Sequence, residues 1–342
     1  MTGFRGFCTA LSSLALLAPA FAQAAESVAD FYKGKTISLI VGSGPAGGYD
    51  LSARLAAQHL PRYIPGHPTI VVRNMPGASS NVAALHVFNV AARDGTVIGM
   101  FQPTFVIEKI NDRSLRYEPE QFTWIGRVDS STLVGVVWHS SPVHSVAEAK
   151  EKEAALSAIG AAGTAATVPW ALNRMIGTRF KVVLGYGSSA DTGLAMERGE
   201  VHGTGSTSWD YLETKPDWIQ QKKIGFLYTI ALARYRAIPD VPAIPELAGS
   251  DKDRAVLRLI ASGSTIGRAI VGPPGVPEDR TAALRQAFDA MAKDPQFLAD
   301  AGNRHLGVDP MSGADLQRLV TDIAGQPEDV VEQMKAVTRV QR

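Results

Sequence analysis

An apolar, β-branched run at Thr36–Val41 passes directly into a loop where Gly42, Gly44, Ala46, Gly47 and Gly48 supply five small residues out of seven, and Asp50 then opens a helical pattern running to Tyr63. This junction constrains the fold more than any other stretch of the chain. A strand that delivers bare backbone to a helix N-terminus presents outward-pointing N–H groups, and without Cβ atoms a ligand can come close to them. The element is an anion cradle. A phosphate in it would indicate a nucleotide enzyme, a carboxylate a different class of protein.

The chain has 342 residues, 45% of them hydrophobic, enough for one large or two ordinary domains with packed cores. Its 34 basic and 33 acidic residues give no electrostatic reason to expect nucleic acid or an anionic membrane as partner. The N-terminus carries the marks of a secretory signal: Arg5, a mostly apolar run at 7–17, and Ala20 and Ala22 around Phe21, which place cleavage after Ala22, with Ala24 as second choice. The apolar run is too short for a permanent transmembrane helix. The single cysteine, Cys8, lies inside this segment, so the mature chain is expected to lack disulfides, thiolate nucleophiles and zinc–thiolate sites. An exported, soluble, near-neutral protein follows.

Strand-like runs at 36–41, 69–73, 97–101, 133–138, 155–158, 181–184, 224–230 and 267–271 alternate with helical stretches at 50–63, 81–92, 168–176, 191–198, 277–293 and 313–323. Such alternation predicts parallel sheets covered by helices. The length favours two lobes with breaks at 126–130 and 231–242, the first and last thirds forming one lobe and the middle third the other. A ligand would then sit in the cleft between them.

Residues 42–47 are a literal G-x-G-x-x-G between strand and helix, which makes an exported nucleotide-dependent oxidoreductase a reading to weigh. Two features oppose it. The second strand ends in Arg73-Asn74-Met75-Pro76-Gly77, without the acidic residue that holds a ribose, and Asp50 would set its charge against a pyrophosphate. The Walker pattern is absent. Three more junctions, at 74–81, 160–165 and 185–191, again put small or amide-bearing residues at the C-terminal ends of candidate strands. Four such junctions fit one cleft floored by helix N-termini, holding a small anion through backbone amides and hydroxyls. The seven histidines include no H-x-x-x-H pair, and no G-x-S-x-G elbow exists. The sequence leaves open what His202, Arg174 and Arg198 contribute.

In this pattern the chain resembles the periplasmic substrate-binding proteins of tripartite tricarboxylate transporters, the Bug receptors. The resemblance rests on Pro45-Ala46-Gly47-Gly48 with Asp50; on Asn74, Pro76, Gly77, Ala78 and Asn81; on Asp94-Gly95; on Tyr117, Pro119 and Phe122; and on Gly160 and Gly163. Gly199-Glu200-Val201, Pro239-Asp240-Val241-Pro242, Pro274-Gly275-Val276-Pro277 and Asp294-Pro295 continue it to the C-terminal helices. It implies an α/β, two-lobed periplasmic-binding-protein fold of type II, a Venus flytrap in which each lobe is a mixed sheet flanked by helices. Residues 1–22 would be the signal peptide, 26–126 with 232–342 lobe 1, and 127–231 lobe 2. It further implies a monomeric periplasmic receptor, not an enzyme, which closes on a small organic acid and delivers it to integral membrane transporter subunits. No cofactor and no metal are expected, and presentation of the ligand to a membrane sensor is the alternative role. Gly44, Ala46, Gly47, Asp50, Asn74 and Asn81 would form the first jaw, and Gly163, Thr164, Tyr186, Ser188 and Asp191 the second. Asp50 is expected to cap its helix rather than touch an anion, and Tyr186 to stack on the ligand. Residues 185–191 and 204–209 depart from the family pattern where selectivity would be set, so no relative's ligand is carried over.

Overall fold

The computed structural model describes residues 26–161 and 163–339, together with Met1 and Gly3; the expected signal peptide and its cleavage site lie outside the described residues. The strands, in chain order, are β1 (Thr36–Val41), β2 (Thr69–Asn74), β3 (Val97–Met100), β4 (Thr123–Arg127), β5 (Leu133–Trp138), β6 (Ala154–Ala158), β7 (Phe180–Leu184), β8 (Gly203–Ser208), β9 (Ile224–Ile230), β10 (Ala269–Gly272) and β11 (Met311–Ser312). They form two sheets, one in the order β11-β4-β10-β3-β1-β2 and one in the order β7-β6-β8-β5-β9. Both are mixed rather than parallel. β1 runs parallel to β2 and β3, and β6 parallel to β7 and β8, but β10 and β5 run antiparallel to their neighbours. Those antiparallel strands bracket the two places where the chain changes sheet.

The register shows where the functional loops lie. Val41 faces Asn74 on one side and Met100 on the other, Ile270 faces Met100, and Ala269 faces Arg127. The ends of β1 to β4 and the start of β10 therefore share one edge. In the second sheet Ala158 faces Leu184, and Leu133 faces both Ser208 and Ile230, so the ends of β6 to β9 and the start of β5 share an edge too. The chain passes between these edges twice, through residues 128–132 and 231–268.

Strand alternation sends side chains to both faces of the first sheet. Ile37, Leu39 and Val41 pack with Leu55 and Ala56 of the helix Gly48–His59 and with Leu284 and Phe288 of the helix Glu278–Met291. Ile40 turns the other way, into a cluster with Ala83, Ala84 and Val87 of the helix Asn81–Asn89 and with Phe105, Phe122 and Trp124. Each fully buried aliphatic or aromatic side chain contributes about 1.5–3 kcal/mol. The helix Asp251–Ile266, inside the second crossing, buries two faces: Val256, Leu259 and Ile266 join that first-sheet cluster, while Leu257 and Ala261 join Val137, Leu172 and Tyr228 under the second sheet. The lobes thus share a helix packed between them in the second crossing, besides the first crossing at 128–132.

Three strands, β4, β8 and the two-residue β11, fall outside the sequence expectation. Residues 203–208 read Gly-Thr-Gly-Ser-Thr-Ser, the composition of a loop. Packing explains the strand. A Cβ on Gly203 would stand 2.2 Å from the Val136 carbonyl, and one on Gly205 would stand 2.1 Å from the Ala165 carbonyl and 2.5 Å from the Pro169 ring. The helix Thr164–Ile176 lies directly on β8, so the strand must be small there.

Candidate ligand cleft

The first jaw is built by the loops after β1 and β2. The N-cap of the helix Gly48–His59 is Gly47, not Asp50 as the sequence suggested. Asp50 stands in the first turn and is buried, its side chain folded back on its own loop. Its Oδ2 accepts from the Ala46 N–H and from Arg54 Nε, both at 2.9 Å, and its Oδ1 accepts from Asn74 Nδ2 at 2.8 Å. Asn74 Nδ2 also donates to the Ser43 carbonyl at 3.0 Å, and Arg54 donates to Asn74 Oδ1 at 3.2 Å. The Arg54 hydrogen bond above all, with those from Asn74 and Ala46, holds the Asp50 carboxyl below its ordinary range despite burial. Asp50 and Asn74 therefore shape the loop. They also pin Ala46 at φ 64, a left-handed conformation that costs a non-glycine residue about 1–2 kcal/mol.

The glycines of this loop divide into two kinds. A Cβ on Gly42 would lie 2.4 Å from Ser80 Oγ, and that hydroxyl donates to the Gly42 carbonyl at 2.9 Å while accepting from the Gln102 N–H at 3.0 Å. Gly42 is bare because Ser80 ties the loops after β1, β2 and β3 together. A Cβ on Gly44 would meet nothing within 4 Å, and one on Gly47 only the Gly44 carbonyl at 3.8 Å. The fold does not require these two to be glycine. Around Ser80 the backbone is strained: Ala78, Ser79 and Ser80 all have positive φ (43, 51 and 75). Strain of this kind collects at functional sites. Asn81 is buried beneath the loop, its Oδ1 2.5 Å from the Tyr117 hydroxyl and its Nδ2 donating to Glu108. Both ends of its amide are thus engaged inside the lobe.

The second jaw holds a cavity of about 250 Å³ at the matching edge of the other sheet, lined among others by Gly160, Gly163, Thr164, Ser189, Thr192, Ser206 and Thr207. Gly163 is the N-cap of the helix Thr164–Ile176 and offers it no side-chain cap. Thr164 Oγ1 lies 3.0 Å from Ser206 Oγ. Thr207 Oγ1 is buried and has no hydrogen-bond partner among the described residues. Cavity residues carry hydroxyls and backbone amides but no Lys or Arg. First-turn N–H groups of a helix have no intrahelical acceptor, so this is a site for an acceptor group or an anion.

Of the residues expected in this jaw, the structure brings Gly163 and Thr164 into the cavity but not Tyr186, Ser188 or Asp191. Ser188 is the N-cap of the helix Ser189–Glu197, accepting from the Asp191 N–H at 3.2 Å and donating to Asp191 Oδ2 at 2.9 Å. Tyr186 packs against the cluster around Trp138 and Trp218, and burial pushes its phenol up. Sequence reasoning missed Ser189, Thr192, Ser206 and Thr207; the unusual composition of 204–209 was the signal that could have found the last two. His202 is structural, its Nδ1 accepting from the Ala155 N–H at 2.9 Å. Arg174 donates to the carbonyls of Val337 and Arg339, and Arg198 pairs with Glu200 on the surface. Among the described residues no group of three or more His, Cys, Asp or Glu could hold a metal ion, and no helix is long and apolar enough to cross a membrane.

No curated protein matches the chain in sequence. Among solved structures it is similar to a TctC solute-binding protein from Polaromonas, with a TM-score of 0.70 at 17% identity over 89% of this chain and 99% of that one. It is also similar to the periplasmic binding protein BugD (TM-score 0.58, 18% identity, 91% and 100% covered) and to MatC from Rhodopseudomonas palustris with bound malate (TM-score 0.57, 19% identity, 87% and 99% covered). These likenesses carry the fold, a two-lobed α/β architecture with a mixed sheet in each lobe. A family model, that of the tripartite tricarboxylate transporter family receptor, matches residues 53–335. With that match covering ten of the eleven strands and both crossings, the chain belongs to the tripartite tricarboxylate transporter receptor family.

Proposed function

We propose that this chain is a periplasmic receptor that closes two jaws on a small organic carboxylate and delivers it to the membrane subunits of a tripartite transporter. Residues 26–126 and 232–342 form one lobe, 127–231 the other, and the signal is cleaved after Ala22. One observation carries the reading: loops at the corresponding edges of the two sheets carry glycines that have room for a side chain, Gly44 and Gly47 on one and Gly160 and Gly163 on the other. Glycine kept where a side chain would fit suits a surface reserved for a ligand. Gly44, Ala46, Gly47, Gly163 and Thr164 supply backbone contacts, with Asp50, Asn74 and Asn81 holding the first loop in shape. Tyr186, Ser188 and Asp191 act at the rim. Relatives support the ligand class: one R. palustris structure contains adipate and another malate, at 22% and 19% identity.

The test uses the bare glycines. Gly44→Ala and Gly163→Ala should fold as the parent does, because at these positions a methyl group meets nothing closer than 3.6 Å. The parent is screened by thermal shift against di- and tricarboxylates, aromatic acids and acidic amino acids; a ligand at 100 times its Kd adds about 2.7 kcal/mol. Each variant should lose affinity for the ligand found. Binding that survives both substitutions, or a parent that answers only to a dinucleotide, refutes the proposal.

A further inference from the structure

We propose that Arg268 is the positioning residue that ties the glycine-loop jaw to the rotation of the second lobe, an inference that rests on the two-jaw reading above. The two crossings are stitched together at this residue. The Val128 N–H donates to the Arg268 carbonyl at 3.0 Å, and the Arg268 N–H donates to the Asp129 carbonyl at 2.8 Å. Gly267, at φ +56, makes that approach possible, since a Cβ there would stand 2.2 Å from the Asp129 carbonyl. The Arg268 guanidinium is buried and donates through Nη1 to Asp129 at 2.7 Å and through Nη2 to Asp210 at 2.6 Å. Asp129 belongs to the first crossing. Asp210 rides on the helix Trp209–Glu213, which leaves β8 immediately after the cavity residues Ser206 and Thr207.

The same guanidinium touches the first jaw. Its Nη2 lies 3.0 Å from where a Cβ on Gly48 would stand, and its Cζ lies 5.9 Å from the centroid of the Tyr49 ring. The Tyr49 hydroxyl is 3.4 Å from Ser131 Oγ in the first crossing. One side chain therefore contacts the helix N-terminus of one jaw, the crossing, and the helix that follows the other jaw. The two carboxylates play different parts. Asp129 is buried with the arginine, whereas the Asp210 side chain is 41% exposed. An ion pair with so exposed a partner adds little to stability, about 0–1 kcal/mol. Its position across a hinge still lets it favour one arrangement of the lobes, because a contact that differs between two states shifts their populations.

The experiment reads lobe geometry with no ligand added, so its result stands apart from whether an organic acid binds. Spin labels go on V71C in β2 and K181C in β7, exposed positions on the outermost strands of the two sheets, in a chain carrying C8S. Double electron–electron resonance of this parent should give one narrow interlobe distance. Asp210→Asn should broaden the distribution, changing the ratio of lobe arrangements by up to about five-fold, while its melting temperature moves by less than about 4 °C. Asp210→Glu, which keeps the carboxylate, should retain the peak, and Arg268→Lys, which cannot span both partners, should lose it. A broad parent distribution, an Asp210→Asn distribution that superimposes on the parent's, or equal broadening in Asp210→Glu overturns the inference.

Discussion

Replacing Gly42 by alanine tests whether the loops of the first jaw are held as one unit. The new Cβ would stand 2.4 Å from Ser80 Oγ and 2.5 Å from Ser80 Cβ. A carbon–carbon contact wants about 3.5–4.0 Å, so something must move by about 1 Å. Rotating the hydroxyl away is no remedy, because Cβ is fixed to a backbone that is itself left-handed, at φ 75. Overpacking of this kind costs about 1–3 kcal/mol. Displacing Ser80 also removes its bonds to the Gly42 carbonyl and the Gln102 N–H, about 1 kcal/mol each. The single variant should therefore lose about 3–5 kcal/mol. Ser80→Gly loses the same two bonds but relieves a left-handed serine, for a net loss of about 1 kcal/mol. In the double variant the severe overlap is gone, leaving only a 3.2 Å contact with the Cα at position 80, and the loss should stay near that of Ser80→Gly alone. Urea unfolding followed by circular dichroism gives the four stabilities of the cycle. A coupling energy of about 3–5 kcal/mol is expected, and strict additivity within about 0.5 kcal/mol would refute the reasoning.

Further predictions concern charge and packing. Asp50→Asn should lose about 2 kcal/mol at neutral pH, since the amide cannot serve three donors. Because the Asp50 carboxyl is held below its ordinary 3.8, its contribution is present above that value and lost as pH falls through the lower folded one, so the parent should lose its advantage over the variant in acid unfolding curves. Asp129 behaves oppositely: burial first, then the Asp210 and Asp309 carboxylates, push it up from 3.8 to about 7 against the pull of Arg268 and Arg127. Between those values the folded chain holds a proton the unfolded chain has released, so the parent's stability relative to Asp129→Asn should fall as pH rises through the window, by at most about 1.4 kcal/mol per pH unit. A relative stability that rises over that window contradicts the assignment. Gly205→Ala should cost about 1–3 kcal/mol by thermal melting, for its Cβ would overlap the Ala165 carbonyl on the helix above; an unchanged melting temperature would mean that helix and strand are not in contact.

Legibility in the sequence followed the locality of each cause. The bounds of β1 were readable because a β-branched run ends at Gly42, and β5 and β9 were readable for the same reason. β8 was not, because its glycines answer to Val136 and Ala165, residues 67 and 40 positions away by number from Gly203 and Gly205. Alternation of strand and helix predicted parallel sheets, whereas the family resemblance implied mixed ones; the sheets are mixed, since alternation says nothing about strands that return from another lobe, as β10 does. Asp50 was read as a cap from its place before an apolar helix; it stands in the helix's first turn, and its partners Ala46 and Asn74 turn its side chain back onto the loop. The second jaw was found through Gly160 and Gly163, whose small size shows in the sequence. Ser206 and Thr207 came from the strand that did not look like one. Nothing in the sequence joins Asp129, Asp210 and Arg268, which meet only because both crossings pass one point.

The absence of a free cation in the cavity lining has a mechanistic consequence for the proposed receptor. Three arginines are already engaged: Arg54 by Asp50 and Asn74, Arg268 by Asp129 and Asp210, Arg174 by carbonyls of the C-terminal helix. Attraction for an anion must then come from the N-termini of the helices Gly48–His59, Thr164–Ile176 and Ser189–Glu197, each worth about 0.3–1 kcal/mol when exposed and up to about 2 kcal/mol when partly buried. One jaw open to water gains too little to hold a carboxylate, because water screens the same partial charges. Enclosure between two jaws removes that screening, so binding and closure become a single event. Gly44→Ala and Gly163→Ala, on opposite jaws, should therefore weaken binding to a similar degree, since a methyl group on either side keeps the other from completing the enclosure. A large loss from one and none from the other would mean that a single jaw does the holding.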